Sequence, residues 1–407
     1  MATHPFDLNL RHLRALIAIS EQGSISGAAD LVNLSQPALT QGLAKLEDQF
    51  ASALFERRTD GMVSTRLGQL VIDRTRAALG HLSQGAKGFT RVFSQPENVL
   101  TMTQVRAFLA LADAGSFVGA ASNTGLSQTA VHRGVRELES VMGATMVERR
   151  GRGVWINAGG KRFARGARLA MSELAAALAD SQDESEGEHI SIGALPLSRP
   201  FLVPAAMGRL AQERPRARFD ISEGSWREMV EPLRDGSIDM IVGTLRSYEI
   251  ADLRQIPIYE DVLVIAAGAE HPLAGSEAPS VNALREYPWI LPPKNSPLRG
   301  EWERLFGDGD LPFAPIETGS VMIIGRLLTE GRFLTLLSPS QIALQTSIGL
   351  LSQVGPPLPD TTRRLGLTVR QDWRPTRLQR RFMEILMDLG ESPEEHEKHA
   401  LASRGWV

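Results

Sequence analysis

Hydrophobic positions in the front of the chain keep helical spacing. Leu13, Leu16, Ile17 and Ser20 recur at three- and four-residue intervals, the period of one helix face. Gly23 breaks the pattern, and the Ser24 hydroxyl can cap the next helix. Ala28, Ala29 and Leu31 follow, with small side chains where a second helix must approach closely. Asn33-Leu34 reads as a turn. Ser35 caps a third helix, with Pro37 in its first turn, where a missing N–H costs nothing. Leu39, Leu43 and Leu46 form that helix's inward stripe, and Gln36, Thr40, Gln41 and Lys45 face outward.

The whole pattern returns 92 positions later without a gap, Arg14–Glu47 matching Arg106–Glu139. Gly115 and Ser116 make the break and cap, and Ala120 and Ala121 the close contact. Ser127 caps the third helix, with Val131, Val135 and Leu138 inward and Gln128, His132, Arg133 and Arg136 outward. Both copies then reach the same tripeptide, Glu56-Arg57-Arg58 and Glu148-Arg149-Arg150. A short glycine-containing, strand-like segment and another helix follow each. Val71, Ala78, Leu82, Ala86 and Phe89 mark the first, over Leu67–Phe93. Phe163, Ala167, Ala170, Leu174 and Ala177 mark the second. Neither helix can bury its stripe alone, so pairing with another chain is expected.

Asp180–Gly187 is acidic and free of apolar anchors, and reads as a linker. Beyond it, short β-like runs alternate with helical ones. The runs are Ile190–Leu195, Phe219–Ser222, Met240–Val242, Val262–Ala267, Phe333–Leu337 and Leu365–Arg370. Leu202–Gln212 and Arg227–Arg234 are helical in pattern. The alternation predicts α/β architecture with largely parallel sheets, and some 200 residues suggest two lobes. The predicted fold is therefore multidomain: two α-helical winged helix-turn-helix domains, then a two-lobed α/β domain. The expected divisions are 8–66 and 98–160 for the helix-turn-helix units and 67–97 for the first linker helix. A second linker helix with the acidic linker takes 161–186, the two-lobed domain 187–390 and a loose polar tail 391–407.

Composition narrows the function. A chain of 407 residues is expected to hold about two to four domains, and 43% hydrophobic residues can fill their cores. The start lacks a secretory pattern, and no apolar stretch reaches membrane-spanning length, so a cytoplasmic protein without a membrane partner is expected. With Cys 0 there are no disulfides, thiol nucleophiles or cysteine-rich zinc sites, and no metal or cofactor is expected. The net charge of -3 conceals an asymmetry. Residues 1–180 hold 20 Lys+Arg against 15 Asp+Glu, and the remainder holds 24 against 32. A basic front and an acidic back suit a DNA-binding end joined to a sensing end.

The repeat carries the chemistry. A recognition helix enters the major groove by its N-terminal end. There Gln pairs with adenine and Arg with guanine. Ser35 and Ser127, at helix starts with free N–H groups, suit phosphates. Arg57, Arg58, Arg149 and Arg150 lie where a wing meets the backbone. The DNA-contacting candidates are these with Gln36, Thr40, Gln41, Lys45, Gln128, His132, Arg133 and Arg136. Met1–Arg66 holds 6 basic against 7 acidic residues, and Val99–Arg162 holds 8 against 4. Phosphate neutralisation dominates affinity, so the second copy should supply more of the binding.

Both copies resemble the winged helix-turn-helix of LysR-type transcriptional regulators. The first matches at Gly23-Ser24, Ala28-Ala29, Leu34-Ser35-Gln36, Leu46-Glu47 and Leu54-Phe55-Glu56-Arg57. The second matches at Gly115-Ser116, Ala120-Ala121, Leu126-Ser127-Gln128, Leu138-Glu139 and Glu148-Arg149. Gly42 and Gly134 replace a longer polar residue, Thr129 a proline, and Met146-Val147 a Leu-Phe pair. The usual member has one such unit, so two per chain is this sequence's main departure. In the back half, Ile190–Gly193, Leu202-Val203-Pro204, Leu233–Asp239 and His271-Pro272-Leu273 are similar to the family's effector domain. The segments Ala194–Ala206, Val242–Arg246 and Arg370–Gln379 are similar to the branch that includes galactose-binding-protein regulators and protocatechuate-type regulators.

The resemblance implies a small-molecule cleft between two lobes, joined by crossings near Ala267 and Gly349–Pro359. By position it implies cleft residues Leu197, Ser198, Arg199, Ser225, Trp226 and Thr244 on one wall. Pro293, Ser296 and Ser320 form the other. Arg199, Lys294 and Arg299 suggest an anionic effector, and a sugar or an aromatic or organic acid is expected. It also implies a homodimer or homotetramer on double-stranded DNA. The alternatives are a periplasmic-type metabolite binder, a metabolite binder in which one helix-turn-helix copy only dimerises, and an enzyme. No P-loop, dinucleotide fingerprint or HExxH motif supports an enzyme, and no catalytic residue is assigned.

Overall fold

The computed structural model describes residues 3–59, 61–89, 99–150, 153–181, 189–294, 296–307 and 309–391. The side chains of Arg149, Arg150 and Pro297, most of the acidic segment and nearly all of the tail lie outside that description. Two compact units divide near residue 188.

The N-terminal unit opens with a 3-10 turn, Pro5–Asp7, and then builds the first head. Its helices are α1 (Leu10–Gln22), α2 (Ile25–Leu31) and α3 (Gln36–Gln49). Gly23 ends α1 in the left-handed conformation, φ 63°, which only glycine adopts without strain. Ser24 and Ser35 cap α2 and α3 by accepting from the N–H groups of Gly27 and Ala38. Leu39, Leu43 and Leu46 are buried as expected, whereas Leu31 points outward. The wing is β1 (Phe55–Arg58) against β2 (Gly61–Ser64), antiparallel. A long helix, α4 (Arg66–Ala86), follows, and Phe93, its expected end, lies outside the described residues.

The second head repeats each element. Helices α5 (Met102–Ala114), α6 (Phe117–Thr124) and α7 (Gln128–Met142) precede a wing of β3 (Val147–Arg150) and β4 (Gly153–Ile156). The long helix α8 (Ala158–Ser181) closes the unit. Asp180 belongs to α8 and is buried, so the acidic linker begins later than its composition suggested. The expectation that α4 and α8 pair with another chain is also corrected. They pack on each other within this chain, and one continuous core runs through both heads.

The C-terminal unit contains a five-stranded sheet, β6-β5-β7-β14-β8. Its strands are β5 (His189–Ala194), β6 (Arg218–Glu223), β7 (Met240–Thr244), β8 (Leu253–Asp261) and β14 (Arg363–Arg370). Strand β5 runs parallel to β6 and β7, but β14 is antiparallel to both of its neighbours. Helices α9 (Leu202–Glu213) and α15 (Arg377–Glu391) cover one face, and α10 (Trp226–Asp235) covers the other. The second lobe is built on an antiparallel sheet of β12 (Thr335–Leu337), β9 (Val264–Gly268) and β13 (Leu351–Val354). A parallel pair, β10 (Ile290–Leu291) and β11 (Ile316–Glu317), lies in the same lobe as helices α11 (Val281–Arg285), α12 (Pro297–Phe306), α13 (Val321–Glu330) and α14 (Pro339–Ser347). Trp289, Trp302 and Phe306 meet edge to face in its core. The sheets are thus mixed and antiparallel rather than largely parallel. The first crossing between lobes is at Val262-Leu263, because Ala267 lies inside β9. The second follows β13.

Candidate nucleic-acid interface and effector site

Each head fixes its wing to its recognition helix with one carboxylate. The N–H groups of Leu54 and Phe55 donate to Glu47 Oε1 at 2.8 and 3.4 Å. In the second head Met146 and Val147 donate to Glu139 Oε1 at 2.7 and 3.0 Å. The Leu-Glu signature therefore has a mechanical reason: it satisfies two N–H groups where the chain turns into the wing. The wing is also tied to the first turn, since Met62 N–H donates to the Gly23 carbonyl at 2.8 Å and Val154 N–H to that of Gly115 at 3.4 Å. Gly42 and Gly134 lie on the buried sides of α3 and α7. A Cβ there would come within 3.0 Å of His12 and 2.7 Å of Ala107, so glycine serves helix packing rather than contact with DNA.

The outward faces differ. On α3, Ser35, Gln36, Thr40, Gln41 and Lys45 are exposed, and the Thr40 hydroxyl is bonded back to the Gln36 carbonyl at 2.9 Å. On α7, Ser127, Gln128, Arg133 and Arg136 are exposed. His132 is stacked on Phe117, 3.7 Å between ring centroids and 10° from parallel, which holds the imidazole against α6. An open concavity runs along this face, lined by Gln128, Thr129, His132, Arg133, Arg136 and Glu137. The first wing leaves Arg57 and Arg58 exposed, Arg58 beside Glu56 at 3.3 Å.

In the C-terminal unit the near-wall candidates converge. Parallel β5, β6 and β7 end on one side, placing Leu197–Arg199, Ser225-Trp226 and Thr244 at one edge of the sheet. Ser198 is corrected as a contact. It is fully buried, and its hydroxyl lies against the carbonyls of Leu195 and Val242 at 3.0 and 2.8 Å. Arg199 is similarly committed, donating to the Ala194 and Gly224 carbonyls and pairing with Glu223 at 3.3 Å. Arg299 pairs with Glu317 at 3.1 Å, so neither arginine is the open cation that the sequence suggested. Ser225 gives its N–H and hydroxyl to Glu228. On the other lobe Ser296 and Ser320 cap α12 and α13, and Pro293 sits near Gly319.

Sequence reasoning missed three charged groups. Arg246, just past β7, stacks over Trp226 at 4.8 Å, and its Nε has no hydrogen-bond partner among the described residues. Burial pulls its guanidinium below the usual arginine range. Asp261 and Arg363 face each other at 3.8 Å where β8 and β14 meet the lobe crossings. Burial raises the Asp261 carboxyl and lowers the Arg363 guanidinium, each opposed by the other's charge. Only a strand register unknown in advance brings this last pair together.

The model described as LysR substrate binding domain matches residues 183–390. The model described as bacterial regulatory helix-turn-helix protein, lysR family, matches twice, at 10–69 and 102–161. The HTH-type transcriptional regulator GalR of Pseudomonas putida is 28% identical over 368 residues, covering 89% of this chain and 92% of that protein. The regulator PcaQ of Agrobacterium fabrum is 29% identical over 277 residues, covering 67% of this chain and 89% of its own. A full-length OxyR variant from Pseudomonas aeruginosa shares the fold at TM-score 0.56 and 20% identity, over 72% of this chain and 95% of that one. The chain belongs to the LysR family of bacterial transcriptional regulators, with two copies of the family's helix-turn-helix unit ahead of one effector-binding domain.

Proposed function

We propose that both heads contact operator DNA through the outward faces of α3 and α7, and that the second supplies more of the affinity. Exposed Arg133 and Arg136 carry this reading, since each phosphate-neutralising cation adds affinity and guanine is the preferred partner of arginine. The first head offers Gln41 and Lys45 at its corresponding face. Fluorescence anisotropy with the intergenic duplex beside the gene tests it. Changing Arg133 and Arg136 together to Ala should weaken binding about tenfold or more, consistent with the loss of about 1–3 kcal/mol per good base contact. The Gln41→Ala, Lys45→Ala pair should cost less. The reverse order would refute the ranking.

The effector is a small organic acid held at the ends of β5, β6 and β7. Arg246 supports this reading: a half-buried cation stacked on Trp226 beside Thr244 suits a carboxylate. Calorimetry with a panel of aromatic acids, aliphatic acids and neutral sugars tests the class. Acid binding abolished by Arg246→Met supports it, and binding confined to neutral sugars contradicts it.

A further inference from the structure

We propose that a single chain is a complete clamp for two unlike half-sites, so that the operator is an inverted pair of different sequences rather than a palindrome. The inference rests on the heads binding DNA, as proposed above.

The observation is the antiparallel pairing of α4 with α8. Early in α4, Arg74 sits between Glu173 and Asp180, late in α8. Late in α4, Gly85 meets Phe163 and Gly166, early in α8. The repeat makes Arg74 the counterpart of Gly166, and Gly85 the counterpart of Ala177, which lies between Glu173 and Asp180. The two contacts are therefore the same contact seen from opposite ends. An exchange of that kind is what a two-fold axis produces between like surfaces, here within one covalent chain.

The arrangement is built rather than incidental. A Cβ on Gly166 would stand 2.4 Å from the His81 carbonyl oxygen and 2.9 Å from Gly85 Cα, so the helices touch by backbone. Val71, Ala78, Leu82 and Ala86 on one helix and Phe163, Ala167, Ala170, Leu174 and Ala177 on the other are buried within this single chain. The stripe through which a second copy could pair is already filled. The N-terminal 3-10 turn packs on α5 and α8, with the Arg106 guanidinium 5.8 Å from the Phe6 ring centre, so the heads are held to each other at a second place.

The two-fold holds for the scaffold and fails for the outward faces. Counterpart positions carry Thr40 and His132, Gln41 and Arg133, Ala44 and Arg136, Lys45 and Glu137. A glutamine-bearing face favours adenine, and one with two arginines favours guanine. Heads related by a two-fold but bearing different side chains specify half-sites that are opposite in direction and unlike in sequence.

Selection from a random-sequence duplex library, with the full-length protein, tests this. The wild type should enrich two unlike half-sites in opposite orientation at fixed spacing. The Gln41→Ala, Lys45→Ala protein should lose one half only, and the Arg133→Ala, Arg136→Ala protein the other. Native mass spectrometry on the enriched duplex should give one chain per pair of half-sites in any assembly. An inverted repeat of one half-site, altered in both halves by a single variant and holding two chains, would overturn the proposal, as would a motif with one half alone. Failure to enrich any sequence would instead remove the DNA-binding reading beneath it.

Discussion

Arg74 and Asp180 are joined at 2.9 Å between the two long helices of the DNA-binding unit, with both side chains almost wholly out of solvent. Glu173 approaches the same guanidinium at 3.2 Å. One cation thus serves two buried carboxylates contributed by the other half of a duplicated unit. Removing one partner of a buried pair leaves uncompensated charge, a loss of about 3–5 kcal/mol. Arg74→Ala should lower the denaturation free energy of the full-length protein by that order. A change below about 1 kcal/mol would show that the pair does not hold them.

His12 predicts a pH dependence confined to the first head. It lies beside α3, and burial, then the charges of Lys45 and Arg11, hold its imidazole below the usual histidine range. Its counterpart in the second head is Gln104, which does not titrate. A histidine lowered by folding stabilises the neutral form. The contribution is complete above the unfolded value of about 6.5 and is lost as pH falls through the lowered folded value. Thermal midpoints between pH 8 and 5 should therefore fall less steeply for His12→Gln than for the wild type. Parallel curves would refute the assignment.

Glu139 should matter through the wing rather than through DNA. Glu139→Ala removes a charged acceptor from two N–H groups and should cost about 1–3 kcal/mol. Hydrogen exchange should speed up at Met146 and Val147, and DNA affinity should drop without a change in sequence preference. An altered preference would mean that the carboxylate reads bases.

Ser198 should prove structural. Losing a fully buried hydroxyl that bonds to backbone carbonyls costs about 1–2 kcal/mol. Ser198→Ala should lower the melting temperature while the organic acid proposed as effector keeps its affinity. A selective loss of acid binding, with stability intact, would return Ser198 to the cleft.

The heads were legible in the sequence because their signals are local. A Ser cap, a Gly stop and a three-and-four hydrophobic stripe each act within one turn of helix, and the duplication displayed every one of them twice. What the helices after each head pack against was not legible. A stripe such as Val71–Ala78–Leu82 states that a partner is needed, not that the partner is the counterpart helix of the second copy, packed antiparallel in the same chain. The effector wall was half legible. Strand ends could be placed from pattern, but whether Arg199 faced a ligand or the Gly224 carbonyl depended on the fold of the following loop. Asp261 and Arg363 were invisible because the antiparallel register of β8 and β14 alone makes them neighbours. The parallel bias failed at β14, which follows the return crossing and enters the sheet from the other lobe.

Hydroxyl-radical footprinting on the enriched duplex tests most directly whether two different heads of one chain hold DNA together. The wild type should protect two separated segments. Altering Gln41 and Lys45 should release one, and altering Arg133 and Arg136 the other. Loss of both segments on altering either head, or no loss on altering one of them, would contradict it.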